Sequence, residues 1–229
     1  VVLEEKNHET VLEINLDALS HNLNFYKSKL SPKTKIMVMV KAFGYGSGTF
    51  EVSKTLQDLG ADYLGVAFAD EGVLLREAGI KVPIMVMNTD AQTMNLLNQY
   101  HLEPVVYSAA NLNEYMNLLG TNHGEIHLEI DTGMHRVGVA PQLLMELVQH
   151  VQKFSPLIAL EGIYTHLANA DVPDHPANNE QNRLFAESLH QLGHLSESLK
   201  IHSCNSAAAI RFPQERRSLV RIGISSYGL

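Results

Sequence analysis

The sequence holds a single cysteine, Cys204, among 229 residues. One thiol can neither close an intrachain disulfide nor supply a cysteine-rich zinc site, which fits a reducing compartment. No apolar run approaches the ~20 residues of a membrane-spanning helix, and no signal-peptide pattern opens the chain, so a cytoplasmic location is expected. Positive charge is short as well. Lys plus Arg total 17 against 25 Asp plus Glu, a net charge of -8 that argues against a nonspecific grip on nucleic acid or an anionic membrane. A small molecule suits this chain better as a partner.

A hydrophobic content of 45% with 18% charged residues argues against disorder and allows one large core. Short β-branched runs alternate with helical patterns along the chain. The candidate strands are Lys35 to Val40, Tyr63 to Phe68, Val82 to Met87, Pro104 to Tyr107, Ile126 to Asp131, Ile158 to His166, Lys200 to Cys204 and Leu219 to Ile222. This alternation defines an α/β protein with parallel strands. An open doubly wound sheet uses the same alternation. The strand count matches the closure number, and no Gly-x-Gly-x-x-Gly follows the first strand, so a closed (β/α)8 TIM barrel over residues 17–229 is predicted.

Residues 1–16 stand apart from the repeat. Glu4 to Glu9 read as linker, and Thr10 to Leu16 alternate apolar and polar residues like a strand of a half-buried antiparallel sheet. Such a strand needs a sheet, expected from a C-terminal β-domain outside this sequence. The first residue is Val1, and Ser225 to Leu229 carry no helix stop, so a piece of a longer protein is expected.

Lys41 ends the apolar run Met37 to Val40 and opens the glycine-rich turn Ala42-Phe43-Gly44-Tyr45-Gly46-Ser47-Gly48. A lysine in that place is commonly just the first solvated residue of a loop. Desolvated at a strand end, however, an ammonium loses protons more readily and becomes a nucleophile for carbonyl carbon. Strand parity places Met37, Met39 and Lys41 on the inner face, with Ile36, Val38 and Val40 toward the helices. By the same rule His127, Glu129 and Asp131 point inward, joined by His166, His202 and Arg221 on later strands. Each alone has a structural explanation as a hydrogen-bonded core residue or ion-pair partner. Together they fill the C-terminal strand ends, the catalytic face of such barrels.

Asn205-Ser206 after the seventh strand opens a helical stretch, where Ser206 is expected to cap, and Gly223-Ile224 follow the eighth. Loops after strands seven and eight form the habitual phosphate site of this fold. A lysine facing that site points to pyridoxal 5′-phosphate.

Val40-Lys41-Ala42-Phe43-Gly44-Tyr45-Gly46-Ser47-Gly48 resembles the cofactor-lysine motif of bacterial alanine racemases. Asp131 to Gly138, Thr165-His166, His202 with Asn205-Ser206, and Arg221 to Ile224 with Tyr227-Gly228 resemble that family's segments in the same order. The resemblance implies an isomerase that interconverts L- and D-alanine for peptidoglycan, acting as a homodimer. It implies that Lys41 binds the cofactor covalently and serves as one acid/base group. Tyr45, Ser206, Gly223 and Ile224 would hold the phosphate, Arg136 the phenolic oxygen and substrate carboxylate, and His166 the ring face. Arg221, supported by His202, would face the pyridine nitrogen. A fixed positive charge there disfavours the extra proton and weakens the electron sink.

Two departures stand out. Glu129 occupies the place of a lysine that is carbamylated in many members, and it is expected to hold Arg136 electrostatically in the carbamate's stead, directly or through a water, and less tightly because its side chain is shorter. The second base, a tyrosine from a partner's C-terminal domain, has no counterpart among Tyr63, Tyr107 and Tyr164. A pyridoxal-phosphate homeostasis protein, a serine racemase and a barrel decarboxylase are the alternatives. Arg221 argues against the decarboxylase. No metal site is expected, since His190 and His194 lack a third ligand. The Asp171 to Pro176 loop reads as a turn rather than a lid.

Overall fold

The computed structural model describes residues 10–90, 92–172 and 174–228. Its strands are β1 Lys35–Met39, β2 Tyr63–Val66, β3 Ile84–Val86, β4 Glu103–Val106, β5 Gly124–Glu129, β6 Ile158–Tyr164, β7 Lys200–His202 and β8 Leu219–Ile222. They pair in parallel in the order β7-β6-β5-β4-β3-β2-β1-β8. The remaining seam is bridged without a ladder. The Arg221 N–H donates to the Cys204 carbonyl at 2.9 Å, and Ser218 Oγ accepts from the Ile201 N–H at 2.7 Å and donates to the Ile201 carbonyl at 3.2 Å. The ring therefore closes, as the strand count predicts, and an open doubly wound sheet is excluded.

Period-2 patterning builds two layers of core. Ile36, Val38, Val40, Ile126, Leu128 and Ile130 face outward into the shell between strands and helices. Met37, Met39, Tyr63, Met85, Val105, Tyr164 and Leu219 fill the interior. The helix Leu144–Lys153 shows why the shell forms: Leu144, Leu147, Val148 and Val151 fall on one helical face and are all buried. Burial of each such side chain is worth roughly 1.5–3 kcal/mol.

The strand expected over Thr10 to Leu16 finds no sheet to pair with among the described residues. Thr10 to Asn15 form no ladder, and Val11 and Leu12 are 69% and 75% exposed. With no sheet edge beside them, their backbone groups turn to solvent. Asn15 Oδ1 accepts from the Ala18 N–H at 3.0 Å and starts the first helix, Leu16–Lys29, inside the predicted strand. The expected linker, Glu4 to Glu9, lies outside the described residues.

Two irregularities position the chemistry. After β1 the chain makes a left-handed turn, with φ of 53° at Ala42, 56° at Phe43, 58° at Gly44 and 53° at Tyr45. Side-chain-bearing residues resist this conformation by about 1–2 kcal/mol each. The Glu71 carboxylate offsets that cost, accepting from the Ala42 N–H at 2.6 Å, the Ala67 N–H at 2.7 Å and the Phe68 N–H at 3.2 Å. On β6 the register slips so that Ile126 pairs with Leu160 and His127 with Gly162, leaving Glu161 as the extra residue. A Cβ at Gly162 would lie 2.5 Å from His127 Nδ1, so only glycine admits that imidazole.

Candidate active site

A cavity of about 560 Å³ opens among the loops that follow the strands, a size suited to a cofactor-sized ligand. Lys41, Tyr45, Arg136, His166, Asn205, Ser206, Arg221, Gly223 and Ile224 line it. Of the residues expected to hold the cofactor only His202 lies outside the wall, fully buried behind Arg221, and the inward-pointing His127, Glu129 and Asp131 also lie outside it.

Arg221 organises the floor. Its Nη1 donates to His202 Nδ1 at 2.8 Å and to the His202 carbonyl at 3.3 Å. Nη2 donates to the Thr165 carbonyl at 3.0 Å and to His166 Nδ1 at 3.3 Å. A guanidinium only donates, so each imidazole offers a lone pair at Nδ1 and carries its proton on Nε2. Burial, then the Arg221 charge, pushes His166 down to about 3 and His202 well below its ordinary value. Both rings are neutral at pH 7. The guanidinium lies 4.7 Å from the centre of the Tyr164 ring, which stacks on His202 with centroids 4.8 Å apart.

Glu129 has a direct partner that the sequence did not suggest. It points inward and is buried, but its Oε2 accepts from the Tyr164 hydroxyl at 2.6 Å, and no ion pair with Arg136 is present among the described residues. Glu129 and Tyr164 are register partners on β5 and β6, so the phenol reaches the carboxylate first. Arg136 is exposed and acts on Glu129 only as a more distant charge. Burial raises the Glu129 pKa, against the Tyr164 hydrogen bond and the Arg221 and Arg136 charges.

Asp131 braces the loop that carries Arg136. Its Oδ1 accepts from the Gly133 and His135 N–H groups at 3.0 and 2.9 Å. Burial alone would raise its pKa, but these bonds and His135 bring it below the ordinary value. Gln181 supports the neighbouring loop, donating to the His166 carbonyl at 3.0 Å.

At the far end of the cavity Ser206 Oγ accepts from the Gly223 N–H at 2.8 Å, which leaves its own proton free to donate. The expected cap is one residue earlier: Asn205 Oδ1 accepts from the Ala208 N–H at 3.0 Å. A Cβ at Gly223 would sit 2.8 Å from Tyr45 Oη, so glycine lets that hydroxyl approach. Burial raises the Tyr45 pKa, which keeps the hydroxyl a donor. Tyr227 holds it in place, with ring centroids 4.8 Å apart and its own hydroxyl donating to the Met39 carbonyl at 2.9 Å.

Two hydroxyl donors at one end, a lysine at the mouth and an arginine on the floor fit a phosphorylated aldehyde with a ring nitrogen. Metal chemistry has no comparable set: no cluster of three or more His, Cys, Asp or Glu suited to a cation occurs among the described residues. His194 is exposed and contacts Glu197 at 2.9 Å. Sequence reasoning passed over Met87 and Asp171 in the cavity wall, Tyr164 behind it and Glu71 beneath the Lys41 turn. Parity and register pairing carried a signal only for Tyr164. Asp171 belongs to the loop read as a turn, whose Pro173 lies outside the described residues.

A closed barrel with this cavity over strands one, seven and eight defines the class of protein. Residues 14–229 match the family model described as alanine racemase, N-terminal domain, and the chain belongs to that family. It is 37% identical to an alanine racemase of Nostoc sp. over 95% of its length, and 40% identical to that of Halothermothrix orenii over 96%. Among solved structures, alanine racemase from E. faecalis superposes with a TM-score of 0.88 at 32% identity, covering 94% of this chain and 59% of that one. An alanine racemase of Clostridium difficile in complex with cycloserine gives 0.85 at 34% identity, covering 93% of this chain and 60% of that one. The chain spans 58% and 59% of the two curated relatives' own lengths.

Proposed function

We propose that this chain is the pyridoxal-phosphate-binding barrel of an enzyme that interconverts L- and D-alanine. The observation that carries the reading is the convergence of Lys41, Arg221 and the Tyr45–Ser206 hydroxyl pair on one cavity. Bound pyridoxal 5′-phosphate would supply an electron sink for negative charge developing at the substrate Cα.

The chain's own residues do the rest. Lys41 holds the cofactor covalently and moves one proton at Cα. Tyr45 and Ser206 donate to the phosphate, with the Gly223-Ile224 backbone beside them and Asn205 bracing the loop through its bond to the Leu167 carbonyl at 3.3 Å. Arg136 sits at the rim, where an exposed guanidinium can receive the substrate carboxylate. His166, held neutral in the cavity wall, would lie beside the ring without competing for protons. Arg221, held by His202, presents a fixed positive charge to the ring nitrogen and restrains the sink, which favours proton return over decarboxylation.

Among the described residues, Tyr45 at the phosphate end is the only tyrosine in the cavity wall. The acid/base group for the opposite face of Cα therefore comes from the part of the family's length that this chain does not span, in a homodimer of the full protein. The setting is cytoplasmic, and the D-alanine serves peptidoglycan synthesis. Residues 1–16 serve to join the barrel to that second domain. A homeostasis protein without turnover is disfavoured, because the curated relatives named here are alanine racemases.

Incubation with pyridoxal phosphate, borohydride reduction and peptide mass mapping test the reading. A reduced cofactor on Lys41 alone is expected; labelling spread over surface lysines overturns it.

A further inference from the structure

Below Arg221 the barrel interior holds a column of titratable side chains that the proposed chemistry does not use. His127 and His202 are fully buried, and their rings meet edge to face with centroids 5.7 Å apart. His127 Nε2 lies 2.7 Å from Glu103 Oε2 at the floor, where Glu103 is 5% exposed. Two buried ring atoms, His127 Nδ1 and His202 Nε2, have no hydrogen-bond partner in the protein.

The protonation of those two atoms follows from their neighbours. A carboxylate only accepts, so His127 carries a proton on Nε2, and in the neutral ring Nδ1 is then a lone pair. Arg221 only donates, so His202 keeps its lone pair at Nδ1 and its proton on Nε2. One orphaned atom is thus a donor and the other an acceptor, in adjacent rings. Leaving both unmade would bury two polar atoms with nothing to replace their lost hydration. Gly162 is the residue that clears the space for the His127 ring against β6.

We propose that His202 Nε2–H is linked to His127 Nδ1 through one bridging water, so that Glu103, His127, His202 and Arg221 form one hydrogen-bonded column with a single direction. Glu103 and His127 are then positioning residues. The carboxylate at the floor fixes the His127 tautomer, His127 fixes that of His202, and His202 presents a lone pair that aims Arg221 at the cavity. The significance of that aim rests on the cofactor reading above, but the column itself does not.

Nitrogen NMR of histidine- and arginine-labelled chain without cofactor tests it at neutral pH. In the wild type both His127 and His202 should be Nε2–H tautomers, and the His202 Nε2 proton should exchange slowly and show a cross-peak to a long-lived water. Glu103→Gln removes the charge with little change of shape, and should shift the His202 and Arg221 guanidinium nitrogens while leaving Arg136 unmoved. Glu103→Leu should mix the His127 tautomers. A His202 Nδ1–H tautomer, or a freely exchanging Nε2 proton, overturns the proposal in the wild type alone, whatever the variants do. Arg221 nitrogens unmoved in a folded Glu103→Gln also overturn it. Failure of pyridoxal phosphate to label Lys41 with the column intact would instead overturn the cofactor reading.

Discussion

Tyr164 and Glu129 face each other across β5 and β6 as direct register partners, and the phenol donates to the carboxylate at 2.6 Å. The same tyrosine ring packs against both His202 and the Arg221 guanidinium, so Glu129 reaches the cofactor-facing arginine through one aromatic ring. Tyr164→Phe leaves a buried carboxylate without its donor and should destabilise the chain by about 1–3 kcal/mol. Glu129→Gln keeps an acceptor and removes a desolvated charge, so its cost should be smaller than that of Tyr164→Phe. Urea unfolding of both variants checks the order, and a larger loss for Glu129→Gln would show that the charge itself is needed.

Glu71 carries a second prediction. Its carboxylate ties the left-handed turn, through the Ala42 N–H, to the end of β2, through the Ala67 and Phe68 N–H groups. Glu71→Ala leaves those donors to solvent and releases the turn that aims Lys41. Stability should fall by about 1–3 kcal/mol. Labelling of Lys41 by pyridoxal phosphate should slow severalfold, while Glu71→Gln, which can still accept, should recover part of the rate. Stopped-flow absorbance reads both rates.

The barrel was legible because parity and strand count are local properties of the sequence. Met37, Met39 and Lys41 face inward for the same reason that Ile36 and Val38 face the helices. Glu129 is placed on the correct face by that rule, but its direct hydrogen-bond partner, Tyr164, is not named by it. Its neighbour is set by the β5–β6 register, and the extra residue Glu161 resets that register between Ile126 and His127. Glu71 was invisible because its three acceptor contacts join strand ends that are distant in sequence. The cap at Asn205 was missed by one residue, since Asn205 and Ser206 both favour caps and only the Gly223 contact assigns Ser206 elsewhere.

The pH dependence of stability follows from His166. Its folded pKa of about 3 lies below the ordinary 6.5, so the unfolded chain takes up a proton that the folded chain refuses. Stability is therefore full above about pH 6.5 and falls as pH drops toward 3, by on the order of 2 kcal/mol at pH 5 from this ring. His202 acts in the same direction. Glu129 acts oppositely, because its raised pKa makes protonation favour the folded state. Urea midpoints measured from pH 8 to 5 should decline in the wild type and decline less in His166→Gln. Parallel curves would mean that His166 is not held neutral.

The last prediction separates binding from turnover. With pyridoxal phosphate added, the wild-type chain should show a band near ~420 nm that borohydride abolishes and that Lys41→Ala lacks. Racemisation requires proton exchange on both faces of Cα, and Lys41 serves one of them. The chain alone should therefore catalyse exchange of the alanine α-hydrogen with D2O far faster than it inverts the centre, since a proton taken and returned by Lys41 stays on its own face. Proton NMR of the α-position and chiral chromatography of the same sample give the two rates. Inversion as fast as exchange would place a second acid/base group within these 229 residues.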